Sequence, residues 1–152
     1  RLNPLFYSDF ARPGLVIPSS QQANANPVLL AELQVFDVLM GERLKIEGFA
    51  QVDAVSDLIG TNVQIAYTDS NGPNFSGRWA LPSIHFWGTG NVWRTKGEHH
   101  KAHRPVGHYI ASQDHAMVTF TLFANIYSTS PTPLYATIND CGMTIERYTP
   151  DA

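Results

Sequence analysis

Histidines are the side chains in this sequence best suited to chemistry. All six lie between residues 85 and 115, and four of them fall in the segment GEHHKAHRPVGH at positions 97–108. Three imidazoles that leave one coordination position open are a common ligand set for catalytic zinc, so His99, His103 and His108 are the candidate metal ligands. A solvated basic loop and a loop that contacts a partner protein are the other two interpretations.

The spacing of these histidines matches no local metal-binding signature. The sequence has no His-Glu-x-x-His motif, and the glycines and proline around His99 and His103 oppose the helix that would bring them together. Basic side chains beside the histidines would also repel a cation. We predict neither a metal nor another cofactor, and we expect the basic residues to contact an acidic partner surface. These predicted contacts are Arg94, Lys101 and Arg104.

Signatures of other enzyme classes are missing from the sequence. It contains no Gly-x-Ser-x-Gly elbow, no phosphate-binding Gly-x-x-x-x-Gly-Lys loop and no dinucleotide fingerprint. Cys141 is the single cysteine, so no intrachain disulfide can form. Its neighbours Asp140 and Gly142 favour a small residue near a turn over a nucleophile. We therefore predict a protein that is not an enzyme.

Composition excludes two kinds of partner. The net charge of −3 provides no basic face for nucleic acid, and no apolar run reaches the length of a membrane helix. Charged residues make up only 15% of the 152 residues, and a polar surface with so few charges is common where it meets other protein. The start at Arg1, without a signal-peptide pattern, suggests a processed or trimmed chain.

Residues 1–27 predict an extended arm before a single domain over 28–152. The segment has prolines at positions 4, 13, 18 and 27 and no helix or strand periodicity. It carries too many large apolar side chains for a free linker, so they must contact either the chain's own body or a neighbouring subunit. The predicted partner contacts in this arm are Leu5, Phe6, Tyr7 and Phe10.

After residue 28, short apolar runs alternate with turn residues. In segment 44–53 the even positions are apolar apart from Gly48, which is the pattern of a half-buried strand. Segment 117–127 has uncharged residues on both faces, which predicts a central strand or one covered by a partner. Segment 28–40 fits either a strand or a helix. The pattern predicts an all-β fold, an antiparallel sandwich or jelly roll of about eight strands.

Two connections in this prediction bear on function. A long loop is predicted over residues 87–108, and Asp140–Gly142, between segments 134–139 and 143–148, are predicted to lie near a turn or at a strand start. Trp93 lies in the long loop and is the candidate for stacking against a sugar, whereas Trp79 and Trp87 fit core positions.

The arm and the C-terminal third, which includes MVTFTLFANIYSTSPTPLYATINDCGMTIERY, resemble the small β-sandwich virion proteins of tailed bacteriophages. The resemblance covers mainly residues 108–148 and includes both capsid decoration proteins and trimeric fibre heads. It implies a homotrimer in the virion, on the outer capsid surface or a fibre, bound to the major capsid protein or another virion protein. A glycan-binding fibre head is the alternative function, and a metal-dependent jelly-roll enzyme is the third.

Overall fold

A computed structural model of the chain describes residues 5–11, 14–20, 27–54, 59–70, 85–88, 92–93 and 100–148. In these ranges eleven strands form two antiparallel sheets that pack face to face, which confirms the predicted all-β sandwich. In chain order the strands are β1 (Leu5–Ala11), β2 (Leu15–Pro18), β3 (Val28–Val38), β4 (Arg43–Ala54), β5 (Gly60–Thr68), β6 (His85–Gly88), β7 (Val92–Trp93), β8 (His100–His103), β9 (Val106–Ile110), β10 (His115–Tyr127) and β11 (Tyr135–Tyr148).

Each sheet has two long central strands and shorter strands at one or both edges. In sheet A, β11 and β4 are central; β1 and β2 pair with β11, while β8 and β9 pair with β4. In sheet B, β10 and β5 are central, β3 borders β10, and β6 and β7 pair with β5. None of the described residues forms a helix that is long and apolar enough to cross a membrane.

The core lies between the sheets and follows the period of two in the sequence. Every even position of β4 from Leu44 to Ala54 is buried, as the alternation predicts. Gly48 is in this row because the opposite sheet approaches closely: a Cβ there would lie 2.7 Å from Cδ1 of Leu122. Any larger residue at position 48 would therefore displace the core of sheet B.

Strand β10 is central, which is one of the two environments that its uncharged faces predict. Val118, Phe120 and Leu122 are fully buried between the sheets. Val28–Val38 pairs along β10, from Val38 opposite His115 to Val28 opposite Ala124, so this segment is a strand and not a helix.

The prediction of an unstructured loop over residues 87–108 is wrong in part. His100–His103 and the start of Val106–Ile110 lie inside it, and both strands pair with β4. Gly107 and Tyr109 are buried while Val106, His108 and Ile110 are exposed, so β9 does alternate. Histidine and glycine in place of β-branched residues hid this alternation from sequence inspection.

Asp140–Gly142, predicted to lie near a turn or at a strand start, do not separate two strands. These residues lie inside β11, which runs without interruption from Tyr135 to Tyr148. The pairing of β11 with β4 shifts by one residue between Ile138 and Asp140, which is a β-bulge. The pairing with β4 continues on both sides of the bulge, from Ala136 to Tyr148.

Two segments of the predicted arm lie on the chain's own sheet. Leu5–Ala11 pairs with β11 from Arg147 to Cys141, and Leu15–Pro18 pairs with it from Ile138 to Tyr135. The arm was predicted to contact either the chain's own body or a neighbouring subunit. These two segments contact the chain's own body.

A buried ion pair at one end of the sandwich connects β11 of sheet A with β3 of sheet B. Glu42, which is 1% exposed, accepts hydrogen bonds from Nε of Arg147 at 2.6 Å and from its Nη2 at 2.9 Å. The same guanidinium donates to the carbonyl oxygens of Phe36 at 2.9 Å and Asp37 at 2.6 Å, and to the Tyr7 hydroxyl at 3.3 Å. Arg147 therefore joins β11, β1, β3 and the turn between β3 and β4.

Replacing Arg147 by methionine should lower the free energy of unfolding by about 3–5 kcal/mol, because the buried Glu42 carboxylate would lose its counter-charge. Urea denaturation followed by circular dichroism measures this loss. The matched control is Arg43→Met, since Arg43 is exposed and pairs with Tyr148 at the same end of sheet A; it should change stability by no more than about 0.5 kcal/mol. If Arg147→Met lost as little stability as the control, the pair of Glu42 and Arg147 would not stabilise the fold as predicted.

Stability should also fall in acid through this pair. The hydrogen bonds from Arg147 hold the pKa of the Glu42 carboxyl below its usual value of 4.5, against the opposing effect of burial. The pair therefore stabilises the fold fully above that usual value, and this contribution is lost as the pH falls through the lower pKa of the folded state. Denaturation of the wild type and Glu42→Gln from neutral to acidic pH tests this, because the variant should lack this part of the pH dependence.

Candidate functional site

A row of residues on the outer face of sheet A brings two aromatic side chains together. Phe10 of β1 pairs with Gly142 of β11, and Gly142 pairs on its other side with Phe49 of β4. Paired residues in neighbouring strands project from the same face of a sheet. The two phenyl groups therefore flank a residue that has no side chain.

The Phe10 ring lies over Gly142 and leaves its other face in solvent. A Cβ at position 142 would be 2.7 Å from Cγ of Phe10, which is closer than real Cβ contacts come. Phe10 is nevertheless 62% exposed. An aromatic ring over a strand glycine is a known way to compensate for the missing side chain, so the ring contributes to the sheet and also presents an apolar face outward.

Arg104 completes the far side of this row. Its Cζ lies 5.0 Å from the centroid of the Phe49 ring, within the range of a cation–π contact. The turn that carries it is fixed to β4, because the backbone N–H of Gly48 donates to the carbonyl oxygen of Pro105 at 2.8 Å. Val106, next in the chain, is 47% exposed. Arginine and valine are therefore held in place beside Phe49.

Two shallow cavities of about 450 Å³ each adjoin Phe10. Phe49 and Asp140 line the first, and Glu47, Arg104, Val106 and Thr144 are among the residues that line the second. A protruding ring between two hollows suits contact with another protein. We call the set Phe10, Phe49, Arg104 and Val106, with Gly142 beneath, the Phe10 surface.

The Phe10 surface unites two of the predicted partner contacts, Phe10 and Arg104, which are distant in sequence. Leu5 and Phe6 lie in β1 opposite Arg147 and Glu146, and Lys101 lies in β8 opposite Val52. Arg94 lies outside the described residues.

Tyr7 has a different environment from Phe10. It packs against the core and accepts a hydrogen bond from Arg147. Phe10, by contrast, is 62% exposed and projects outward.

The structure separates two of the histidines that were candidate metal ligands. His103 pairs with the buried Ala50 and is 1% exposed, and its Nε2 lies 2.7 Å from Oγ1 of Thr61. His108 pairs with Lys45 and lies on the outer face of sheet A. The two imidazoles therefore belong to opposite faces of one sheet.

His99 lies outside the described residues. Within the ranges that are described, no three His, Cys, Asp or Glu side chains lie close enough to hold a metal ion. Trp93 lies in β7 with its backbone opposite Gly60, and the sugar contact predicted for it remains a prediction.

A polar network that the sequence analysis did not find lies where β5 ends. Nδ1 of the buried His115 lies 2.5 Å from Oγ of Ser70, while its Nε2 is 3.8 Å from Oδ2 of Asp69. The same Asp69 oxygen accepts a hydrogen bond from the Tyr109 hydroxyl at 2.9 Å. Burial, and then Asp69, raise the pKa of Tyr109, so its hydroxyl stays protonated and remains a donor.

Serine, histidine and aspartate in contact resemble a catalytic triad, but this geometry favours a structural role. The carboxylate is already bonded to Tyr109, and 3.8 Å is too long for the hydrogen bond that would orient an imidazole base. The network instead ties the end of β5 to β9 and β10. The only sequence signal for it was the turn-forming run that begins at Asp69.

No protein-family model and no curated protein sequence matches this chain. Solved viral structures do match its fold. A chain in the structure of infectious bursal disease virus Gx strain superimposes with a TM-score of 0.62 and 10% identity, over 95% of this chain and 32% of that chain. The Gt strain matches with a TM-score of 0.61 and 10% identity, over 93% and 33%.

The VP2 subviral particle of the same virus matches with a TM-score of 0.56 and 10% identity, over 95% of this chain and 32% of that chain. The likeness is one of fold. This chain therefore has the β-sandwich of these viral proteins and spans about a third of their length.

The contact between Phe10 and Gly142 can be tested by a double-mutant cycle. Gly142→Ala should lower the free energy of unfolding by about 1–3 kcal/mol, because the new methyl group displaces the ring from the sheet. In a Phe10→Ala background the same substitution should have almost no effect, and chemical denaturation of the four proteins measures the difference. Equal losses in both backgrounds would show that the ring does not lie over Gly142.

Proposed function

We propose that this protein is a non-enzymatic structural subunit of a virus particle, which acts as a homotrimer and binds other virion proteins. Its fold is shared with chains of virus particles, including the VP2 subviral particle, over 95% of the residues. The observation that carries the proposal is the Phe10 surface, an exposed aromatic and arginine cluster on that fold. Aromatic residues and arginine are enriched where proteins contact one another.

The chemistry of the Phe10 surface suits a neighbouring subunit. Phe10 protrudes, and each adjacent hollow of about 450 Å³ has room for a phenyl ring from a neighbour. Arg104 provides a positive charge beside the acidic Glu47, so a neighbour can be matched by charge as well as by shape. Phe10 was predicted from the arm and Arg104 from the basic segment, and the fold combines them.

Within the virion, we assign the protein to the decoration class of the tailed bacteriophages, on the outer capsid surface. This assignment rests on the resemblance of residues 108–148 and on a chain in which only 15% of residues are charged. Charged residues are depleted at the centres of protein interfaces, so a chain with few charges suits a decoration protein that binds its neighbours. A fibre head that binds glycans is the competing assignment.

The mass in solution tests the proposal. Light scattering of the full chain should give a trimer, and Phe10→Thr with Arg104→Gln should shift it toward monomer, with association at least about tenfold weaker. The matched control is Val16→Thr, since Val16 is 57% exposed on the other edge strand that pairs with β11.

A second variant guards against loss of β1 itself. Arg104→Gln with Val106→Thr changes only the turn after β8 and the first residue of β9, and it should weaken the trimer in the same direction. A wild-type chain that stays monomeric at every concentration would overturn the proposed function. A trimer that both variants leave intact would show that the Phe10 surface is not the contact between its subunits.

A further inference from the structure

A second group of exposed apolar side chains lies at the other face of the sandwich, at the end of β3. Phe36 is 56% exposed, Leu39 55%, Met40 65% and Met117 39%. Single exposed apolar residues are ordinary, but a contiguous group of large ones marks an interaction site. We call these four residues the β3 end patch.

Strand register and a hydrogen bond place the four residues together at the end of β3 and the start of β10. Phe36 and Met117 are direct partners across β3 and β10 and project from the outer face of sheet B. Leu39 and Met40 follow in the turn after β3. The N–H of Met40 donates to Oδ1 of Asp114 at 2.8 Å, which holds the turn beside the start of β10.

The patch is rigid and not a frayed strand end. Arg147 holds the carbonyl oxygens of Phe36 and Asp37, and the N–H of Leu39 donates to Oε1 of Glu42 at 2.8 Å. Asp37 has a φ of 53°, in the left-handed region, which turns the chain out of the regular strand at this point. Because the backbone is fixed here, binding at this patch costs little further backbone entropy.

The size of the patch matches one side of a stable contact between copies. From their exposed fractions, the four side chains present roughly 450 Å². A standard interface buries about 800 Å² on each partner, of which a little over half is apolar. The patch thus supplies about the apolar area that one copy needs in such an interface, and polar residues such as Gln34 and Asp114 border it.

Charge also favours a second copy as the occupant. The patch itself has no charged side chain, so it does not repel an identical patch. Asp37 and Asp114 are exposed beside it and Arg43 is exposed after the turn, so its surroundings carry both signs. Two copies related by a two-fold axis can therefore place opposite charges around a shared apolar centre.

We infer that a second copy of this chain docks on the β3 end patch through a two-fold contact, in which the patch of one copy meets the same patch of the other. The inference deepens the proposed function and rests on it. The Phe10 surface lies on sheet A and the β3 end patch on sheet B, so both contacts can form at once. A contact that closes a trimer stops there, whereas a second, two-fold contact joins trimers into larger assemblies.

Sedimentation velocity of the full chain over a range of concentrations tests this inference. The wild type should form trimers and, at higher concentration, species of twice that mass. Phe36→Thr with Met117→Thr should stop at the trimer, or require at least about tenfold more protein for the larger species. Threonine keeps the preference for strand at both positions.

The matched control is Leu29→Thr, since Leu29 is 51% exposed and pairs with Phe123 on the same face of β3 and β10, outside the patch. It should assemble like the wild type. Leu39→Gln with Met40→Gln changes only the turn, and this second pair should act like the strand pair even if the strand variants fold poorly.

The outcomes separate the two proposals. Doubled species that persist in both patch variants, or trimers that never double, would overturn the inference and leave the proposed function intact. A wild-type dimer that the patch variants dissolve would support the patch and overturn the trimer. A monomer at every concentration would overturn both.

Discussion

The buried pair of Glu42 and Arg147 is the constraint on which both exposed surfaces depend. A guanidinium has five N–H donors in a fixed plane, and here they meet the carboxylate of the turn after β3, two carbonyl oxygens of β3 and the hydroxyl of Tyr7. Two charges withdrawn from water destabilise a fold unless their hydrogen bonds are satisfied. At this site groups from three other elements, β1, β3 and the turn after β3, satisfy Arg147 of β11, so one side chain sets how these four elements meet.

Arg147 is bonded to residues that lie within a few positions of each exposed surface. Arg147 donates a hydrogen bond to the Tyr7 hydroxyl, and Phe10 follows Tyr7 by three residues, so the strand that presents the Phe10 ring is also held by Arg147. On the other sheet, the carbonyl of Phe36 is held directly, and the left-handed Asp37 turns the chain into Leu39 and Met40. The two proposed contacts would need rigid support behind each surface, and this ion pair supports both.

The histidine-rich segment shows how a strong sequence signal loses its apparent meaning in the fold. In a loop, His103 and His108 could converge on one ion. Because each lies in a strand paired with β4, the residue opposite it decides its face: His103 lies opposite the buried Ala50, and His108 opposite Lys45. His103 therefore bonds Thr61 in the core, while His108 faces outward at the edge of the sheet.

The sequence by itself determined the class of fold and much of the core, because the period of two in β4 and β10 depends only on which residues must leave water. The sequence also indicated Phe10 and Arg104 as expected contact residues, since large apolar groups in an arm and basic groups in a cluster can be recognised without the fold. Only the tertiary structure decided that these two lie in one row with Phe49, that β11 is continuous through Asp140, and that Phe36 and Met117 form one patch. Each of these depends on the register between strands distant in the chain, which long-range pairing sets and local sequence does not.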